Sequence, residues 1–319
     1  MEGSPSKPAD ESPGSTGPEP VAVVGPGSVG LALASRLALQ GHPVTLCGRP
    51  GSPPVPAVTL TDRQGTRTVA VDWQDEPSRV GPFPWVVVAT KLHQGDATCD
   101  WLARLVGTDT LVVAAQNGVE HRERLASRVG AGQVAPALVH FNAERGGRDR
   151  VEIRQDGPGL VVGDDPPGRR ARLLLEPTGL GVETVTDFTT AAWHKLMVNA
   201  VANPVTALTC RRVEVFGEPS VRELARTMLG EVCAVGRAEG ARLPDDAVDD
   251  VLAWIDARPA GAGSSMLSDR LAGRPMEYDG LLGAVVRRAR THGLAVPVCT
   301  AVLALVSAAD EATSRASTT

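Results

Sequence analysis

The sequence predicts an α/β first half joined to an all-helical second half, and three observations carry that reading. The valine-rich run Val21-Ala22-Val23-Val24 passes directly into Gly25-Pro26-Gly27-Ser28-Val29-Gly30 and then into a stretch of helical composition over 31–40. Short apolar runs of strand type recur as far as residue 185. From Asp187 onward strand patterns vanish and long helical patterns take over. The chain has 319 residues. About 290 remain once the polar ends are set aside, enough for two domains of ordinary size. The expected organisation is a disordered leader over 1–20, a nucleotide-binding domain over 21–186, a helical substrate domain over 187–310 and a disordered tail over 311–319.

Composition narrows the classes of function. A net charge of -5 with no basic block argues against nucleic acid as a partner. No apolar run reaches the length of a membrane span, so no membrane partner is expected. The first twenty residues are rich in Pro, Gly, Ser and acid and lack the apolar segment of a signal peptide, so a cytoplasmic location is expected. The five cysteines, Cys47, Cys99, Cys210, Cys233 and Cys299, never fall within four residues of one another. That spacing holds no metal motif, and the odd count fits reduced thiols acting as small buried hydrophobes.

The elements follow in order. Strand, glycine turn and helix over 21–40 are the context that the G-x-G-x-x-G fingerprint needs. Gly25 permits the tight turn, Gly27 lets the backbone approach a pyrophosphate, and Gly30 lets helix and strand pack closely. Together with Pro26, Ser28 and Val29 they form the expected cofactor turn of a Rossmann-like domain, with the helix N-terminus facing the phosphates. A glycine turn in some other βα unit is the alternative. A second strand over 43–47 leads into Gly48-Arg49. An NAD site usually carries an acid near this point. A cation suits a 2′-phosphate, so NADP is the expected cofactor, unless Arg49 is a solvated surface residue. Alternating stretches at 58–60 and 68–71 flank Asp62-Arg63-Gln64-Gly65 and suggest an inserted hairpin. Strands over 85–89 and 110–114, with a helix over 94–105 between them, run into Thr90-Lys91 and Gln116-Asn117-Gly118. Lys91 and Asn117 thus follow strand ends, where open α/β sheets bind ligands, although Asn-Gly is also a common turn pair. Strand-like stretches at 134–140, 151–153, 160–163 and 181–185 and a helix over 169–175 complete this half.

In the second half the most informative segment is Trp193-His194-Lys195-Leu196-Met197-Val198-Asn199-Ala200-Val201-Ala202-Asn203-Pro204. Asp187 or Thr189 is positioned to cap its helix, and Pro204 is expected to kink or stop it. Lys195, Asn199 and Asn203 sit four residues apart and form one slowly drifting stripe on a helix whose other positions are mostly apolar. An ammonium and two carboxamides are costly to bury without partners, which points to a pocket. An ordinary polar edge on a partly exposed helix is the alternative. Further helices are expected over 220–239, 244–257, 280–292 and 299–309.

Several of these motifs together resemble the ketopantoate reductase family. The resemblance covers nearly all of the folded chain. It rests on the glycine turn, Val88-Ala89-Thr90-Lys91, Gln116-Asn117-Gly118 and Trp193-His194-Lys195-Leu196 with Asn199 and Asn203-Pro204. It continues through Ser264-Ser265-Met266-Leu267 with Asp269, the spacing to Glu277, and Arg287-Arg288-Ala289-Arg290-Thr291-His292-Gly293 with Val296-Pro297. It implies a Rossmann-like domain followed by an all-helical domain, and NADPH-dependent reduction of 2-dehydropantoate to (R)-pantoate. Lys195 then resembles the proton donor, and Asn199, Asn203 and Ser265 the groups that hold the substrate. Glu277 resembles the acid that orients Lys195 or substrate, Arg49 and Lys91 the holders of the NADP phosphate end, and Asn117 a bridge between cofactor and substrate. The chain departs from the family at Met276, where Thr is frequent, and at Leu282, where Asn is common. A related reductase of another 2-oxo acid is therefore the alternative reading. A non-catalytic NADP sensor would need only the first domain, and the Ser264-Ser265-Met266 segment argues against a 3-hydroxy acid dehydrogenase. A homodimer is compatible with the sequence, which does not itself fix the oligomeric state.

Overall fold

The computed structural model describes residues 17–155 and 157–316. In chain order the first part comprises β1 (Val21–Val24), α1 (Ser28–Leu39), β2 (Val44–Cys47), β3 (Ala57–Asp62), β4 (Gly65–Ala70), β5 (Asp72–Gln74), β6 (Trp85–Val88) and α2 (Gly95–Leu105). It continues through β7 (Leu111–Ala114), α3 (His121–Leu125), β8 (Val134–Val139), β9 (Asn142–Arg145), β10 (Arg150–Arg154), β11 (Leu160–Gly163), α4 (Pro166–Leu175) and β12 (Val182–Val185).

Eight strands form one sheet in the order β12-β11-β8-β7-β6-β1-β2-β5, parallel except where β11 runs against β8. The central strands β1, β2, β6 and β7 are buried at every residue, which is why they read as unbroken apolar runs rather than alternating ones. Val24 stands opposite Cys47 and Val88, and Val88 opposite Ala114. Four strands therefore end in one row, and Gly25, Arg49, Lys91 and Asn117 follow along a single edge. The expected hairpin is β3–β4, and it belongs to a second sheet, β4-β3-β10-β9. Helix α1 lies between the sheets, buried from Gly30 to Leu37, its leucines packed with Val58, Leu60, Val151 and Ile153.

The remainder is helical: α5 (Phe188–Thr209), α6 (Pro219–Ala238), α7 (Ala247–Asp256), α8 (Ser265–Leu271), a π-helical turn Asp279–Gly283 continuing into α9 (Ala284–Thr291), and α10 (Pro297–Ala316). Helix α5 packs against α6, α8 and α10 and runs through the middle of this core. Its N-cap is Asp187, whose Oδ1 accepts Thr190 N–H at 3.0 Å and whose Oδ2 accepts Thr190 Oγ1–H at 2.8 Å. Asp187→Ala is expected to cost about 1 kcal/mol, the usual worth of an N-cap, read as a lower urea midpoint with unchanged slope. An unshifted midpoint would show that packing alone sets the start of α5.

Four expectations need correction. Of the two outcomes expected of Pro204, a kink or a stop, the stop does not occur: α5 continues to Thr209. An interior proline costs about 3 kcal/mol in an isolated helix. Here residues 200–207 are all buried in the helical core, and that packing outweighs the lost backbone bond. The last helix extends to Ala316 instead of ending at residue 309, so the expected tail is helical over 311–316. Asp310 anchors it by accepting Met276 N–H at 2.9 Å. The end of the expected leader is fastened: Glu19 accepts Trp85 Nε1–H at 2.6 Å through its carboxylate and His42 Nδ1–H at 2.8 Å through its carbonyl. Residues 1–16 and 317–319 of the expected ends lie outside the described residues. Finally, all five cysteines are free, but only Cys47, Cys233 and Cys299 are buried. Cys210 is exposed because it closes α5 in the left-handed conformation, φ 53°.

Candidate active site

The glycine turn fits a dinucleotide. Gly25 has φ +101°, and a Cβ there would lie 2.8 Å from Thr90 N. A Cβ on Gly30 would lie 1.9 Å from Gly25 O, so α1 sits against the turn at a distance only glycine allows. Gly27 differs: its Cβ would meet nothing nearer than Ala89 O at 4.0 Å, leaving open space above the turn. Gly27 is also the N-cap of α1 and supplies no side-chain bond, so the first-turn N–H groups have no side-chain cap. Pro26, Ser28 and Val29 are half-buried around them. Arg49 stands one residue beyond Gly48, which packs on the Trp73 ring so closely that a Cβ would lie 2.1 Å from it. Arg49 is exposed, and its guanidinium has no partner among the described residues.

Lys195 faces this edge from α5. Strand β8 runs three residues beyond Pro136, the residue opposite Ala114, and so carries the Val139 carbonyl out over α5. Lys195 Nζ donates to that carbonyl. Burial lowers the lysine pKa to about 8, and the Glu277 charge opposes that shift. Asn199 and the buried Asn203 follow on the same helix. Ser264 is used structurally: its Oγ caps α8 by accepting Leu267 N–H at 3.0 Å and bonds Thr206 Oγ1 at 2.7 Å. Ser265 is thereby left exposed at the start of that helix. Among the described residues the side chains of Asn117, Asn199, Asn203 and Ser265 have no hydrogen-bond partner.

Two residues sit differently from expectation. Lys91 does not wait free for a phosphate: its Nζ lies 2.9 Å from Asp269 Oδ2 and 2.9 Å from Glu277 Oε2. Burial alone would lower its pKa, but the two carboxylates outweigh it and raise the value. Glu277 makes no hydrogen bond to Lys195. Its Oε2 takes Lys91 and its Oε1 accepts Leu92 N–H at 2.9 Å, so it acts on Lys195 through space. Both carboxylates are buried, which requires such partners. Asp269 was visible only as part of a motif, and its role here comes from the loop that returns Arg274 Nε to its Oδ1 at 3.0 Å. Met276 and Leu282, the two departures, are buried in the helical core.

Sequence reading also missed His121. Its ring is buried, and burial pushes its pKa down to about 4. The neutral ring must therefore carry its proton on Nε2, which donates to Gln116 O at 3.0 Å and holds the segment leading to Asn117. A carbonyl acceptor such as Val139 O leaves no side-chain signal in a sequence. Backbone approach adds to the junction between the halves: a Cβ on Gly118 would lie 2.8 Å from Gly280 O, and one on Gly280 2.1 Å from Leu92 Cδ1. Among the described residues no group of three or more His, Cys, Asp or Glu is arranged to hold a metal, and no helix is long and apolar enough to cross a membrane.

A parallel sheet with a glycine turn at its ligand edge, faced by a lysine from a helical half, defines a Rossmann-like oxidoreductase with a helical second domain. The ketopantoate reductase PanE/ApbA family model matches residues 21–166, and the model of that family's C-terminal part matches residues 187–310. The chain belongs to the ketopantoate reductase family, a family of NAD(P)-dependent reductases. It is 39% identical over 294 residues to the 2-dehydropantoate 2-reductase of Mycobacterium tuberculosis strain H37Rv, covering 91% of this chain and 98% of that protein. It is 38% identical over 290 residues to that of Caulobacter vibrioides, again covering 91% and 98%. Among solved structures, a PanE/ApbA family ketopantoate reductase from Ralstonia eutropha superposes with a TM-score of 0.83 at 29% identity, over 92% of this chain and 99% of that one. The dimeric ketopantoate reductase from Staphylococcus aureus superposes with a TM-score of 0.80 at 29% identity, with the same coverage.

Proposed function

We propose that this protein reduces 2-dehydropantoate to (R)-pantoate with NADPH. The observation that carries the reading is Lys195: a half-buried ammonium on the helix that also carries the unpartnered Asn199 and Asn203, bonded to the end of β8 at the sheet's ligand edge. Reduction of a 2-oxo acid adds a hydride to the carbonyl carbon and a proton to its oxygen, and a bound nicotinamide supplies the hydride. Lys195 exchanges its bond to Val139 O for one to the keto oxygen, stabilises the charge that grows there, and gives up its proton. Solvent then reprotonates the amine. Asn199 and Asn203 hold the hydroxyl and carboxylate region of the substrate, Ser265 the carboxylate, and Asn117 meets both ligands. Gly25 to Gly30 receive the pyrophosphate, and the unpaired Arg49 favours a 2′-phosphate. Glu277, bound to Lys91 and Leu92 N–H, fixes the floor between the two ligands and keeps Lys195 charged. The division into a cofactor domain over 21–186 and a substrate domain over 187–310, a homodimer like the dimeric Staphylococcus aureus relative, and a cytoplasmic setting belong to the same proposal.

The test is NADPH and NADH oxidation with ketopantoate and a panel of other branched 2-oxo acids. The fastest turnover is expected with NADPH and ketopantoate. Faster turnover on another acid would replace the substrate, a preference for NADH would replace the cofactor, and NADPH binding without turnover on any acid would make the protein a sensor.

A further inference from the structure

One buried hydroxyl of the helical half has no part in the proposed chemistry. Thr206 lies on α5 three residues beyond Asn203 and is 0% exposed, so no substrate can reach it. Its Oγ1 lies 2.7 Å from Ala202 O and 3.2 Å from Asn203 O, the carbonyls of the two peptide groups on either side of Asn203. The same oxygen lies 2.7 Å from Ser264 Oγ, across 58 residues of sequence. Ser264 accepts Leu267 N–H at 3.0 Å and immediately precedes Ser265. Counting hydrogens fixes the direction of each bond, because a hydroxyl has one hydrogen and two lone pairs. Were Thr206 to donate to Ser264, its oxygen would face the Ala202 carbonyl with no hydrogen between them. Thr206 therefore donates to Ala202 O and accepts from Ser264, which keeps a lone pair for Leu267 N–H. The chain runs from α8 to α5 with each donor used, and breaking it leaves polar groups unpaired in the core. Pro204 gives this turn of α5 a need for such a tie: it has no N–H, so the backbone ladder is one bond short beside Asn203.

From this arrangement we infer that Thr206 is a positioning residue for substrate binding: through one hydroxyl it sets the spacing between Asn203 on α5 and Ser265 on α8. The inference rests on the proposed reading of those two side chains as groups that hold the keto acid. Neither has a hydrogen-bond partner of its own among the described residues, so each is placed by its backbone, and Thr206 ties the two backbones together.

Three variants of the full-length protein test this. Thr206→Val keeps the shape and removes the hydroxyl, and Thr206→Ser keeps the hydroxyl and removes the methyl. Ser264→Gly removes the other hydroxyl while leaving a residue that helix starts tolerate. Steady-state rates are measured against ketopantoate at saturating NADPH, with NADPH titration and thermal melting alongside. Thr206→Val is expected to raise KM about tenfold, the worth of one weakened hydrogen bond to a charged group, with kcat and NADPH affinity near those of the parent. Thr206→Ser should return KM to the parental value. Ser264→Gly should raise KM as Thr206→Val does, and the double variant should raise it no further, because all three lose the same bond. Ser264→Gly also carries the test if Thr206→Val does not fold. A lower melting point with parental KM makes the hydroxyl purely structural and overturns the inference, as does a Thr206→Ser variant impaired as much as Thr206→Val. A parent that turns over no 2-oxo acid overturns the proposed function and this inference with it, whereas an active parent whose KM Thr206→Val matches overturns the role of Thr206 alone.

Discussion

Lys195→Ala is expected to lower turnover by about a thousandfold, within the range ordinarily lost with a general acid, while NADPH affinity stays near that of the parent. The two readouts are expected to separate because Lys195 belongs to the helical half and, among the described residues, bonds Val139 O and no residue of the glycine turn. Its pKa of about 8 sets the pH dependence. The proton-donating form is the ammonium, so the reductive rate should be level below that value and fall about tenfold per pH unit above it. The falling limb should vanish in Lys195→Ala. A variant that keeps most of its rate, or a parent whose rate climbs above pH 8, would remove Lys195 from the donor role.

Gly30→Ala should have the largest effect on the fold. The new Cβ would lie 1.9 Å from Gly25 O and 3.1 Å from Gly25 C, both backbone atoms of a turn already held at φ +101°. Neither can retreat as a flexible side chain would, so α1 must move off β1 together with the leucines it buries between the two sheets. A loss of about 1–3 kcal/mol is expected from overpacking, measured by urea unfolding, with NADPH binding abolished. Gly27→Ala is the matched comparison. Its Cβ has open space, so stability should hold while nucleotide affinity drops because the methyl occupies the cradle. Parental stability in Gly30→Ala would show that helix and turn are less closely set than the structure places them.

The elements that could be read from the chain were those whose local chemistry agrees with their place. Buried parallel strands such as Trp85–Val88 show as valine runs, and the glycine turn shows because each glycine answers a separate steric demand. What was hidden depends on pairing across long separations. Strand Asn142–Arg145 is mostly polar and is placed by its partner β10 and by Ala143 packing into the core beside α1. Pro204 reads as a kink or a stop because the burial that lets the helix run on comes from helices far along the chain. In the site, side chains at helical spacing were legible as a stripe. The attachment of Lys91 to Asp269 and Glu277 spans 178 and 186 residues, and no local pattern encodes it. The Val139 carbonyl was invisible for a simpler reason: every residue has one.

A neutral amine beside a 2-oxo acid is a nucleophile, and attack on the ketone would condense the two into an imine with loss of water, a covalent species outside the carbonyl reduction. With a pKa of about 8, Lys195 would be neutral in about a tenth of molecules at pH 7. A carbonyl accepts more strongly from an ammonium than from a neutral amine, so the Val139 contact favours the protonated form at rest. The contact that rests the acid between turnovers thus also works against the neutral, nucleophilic form.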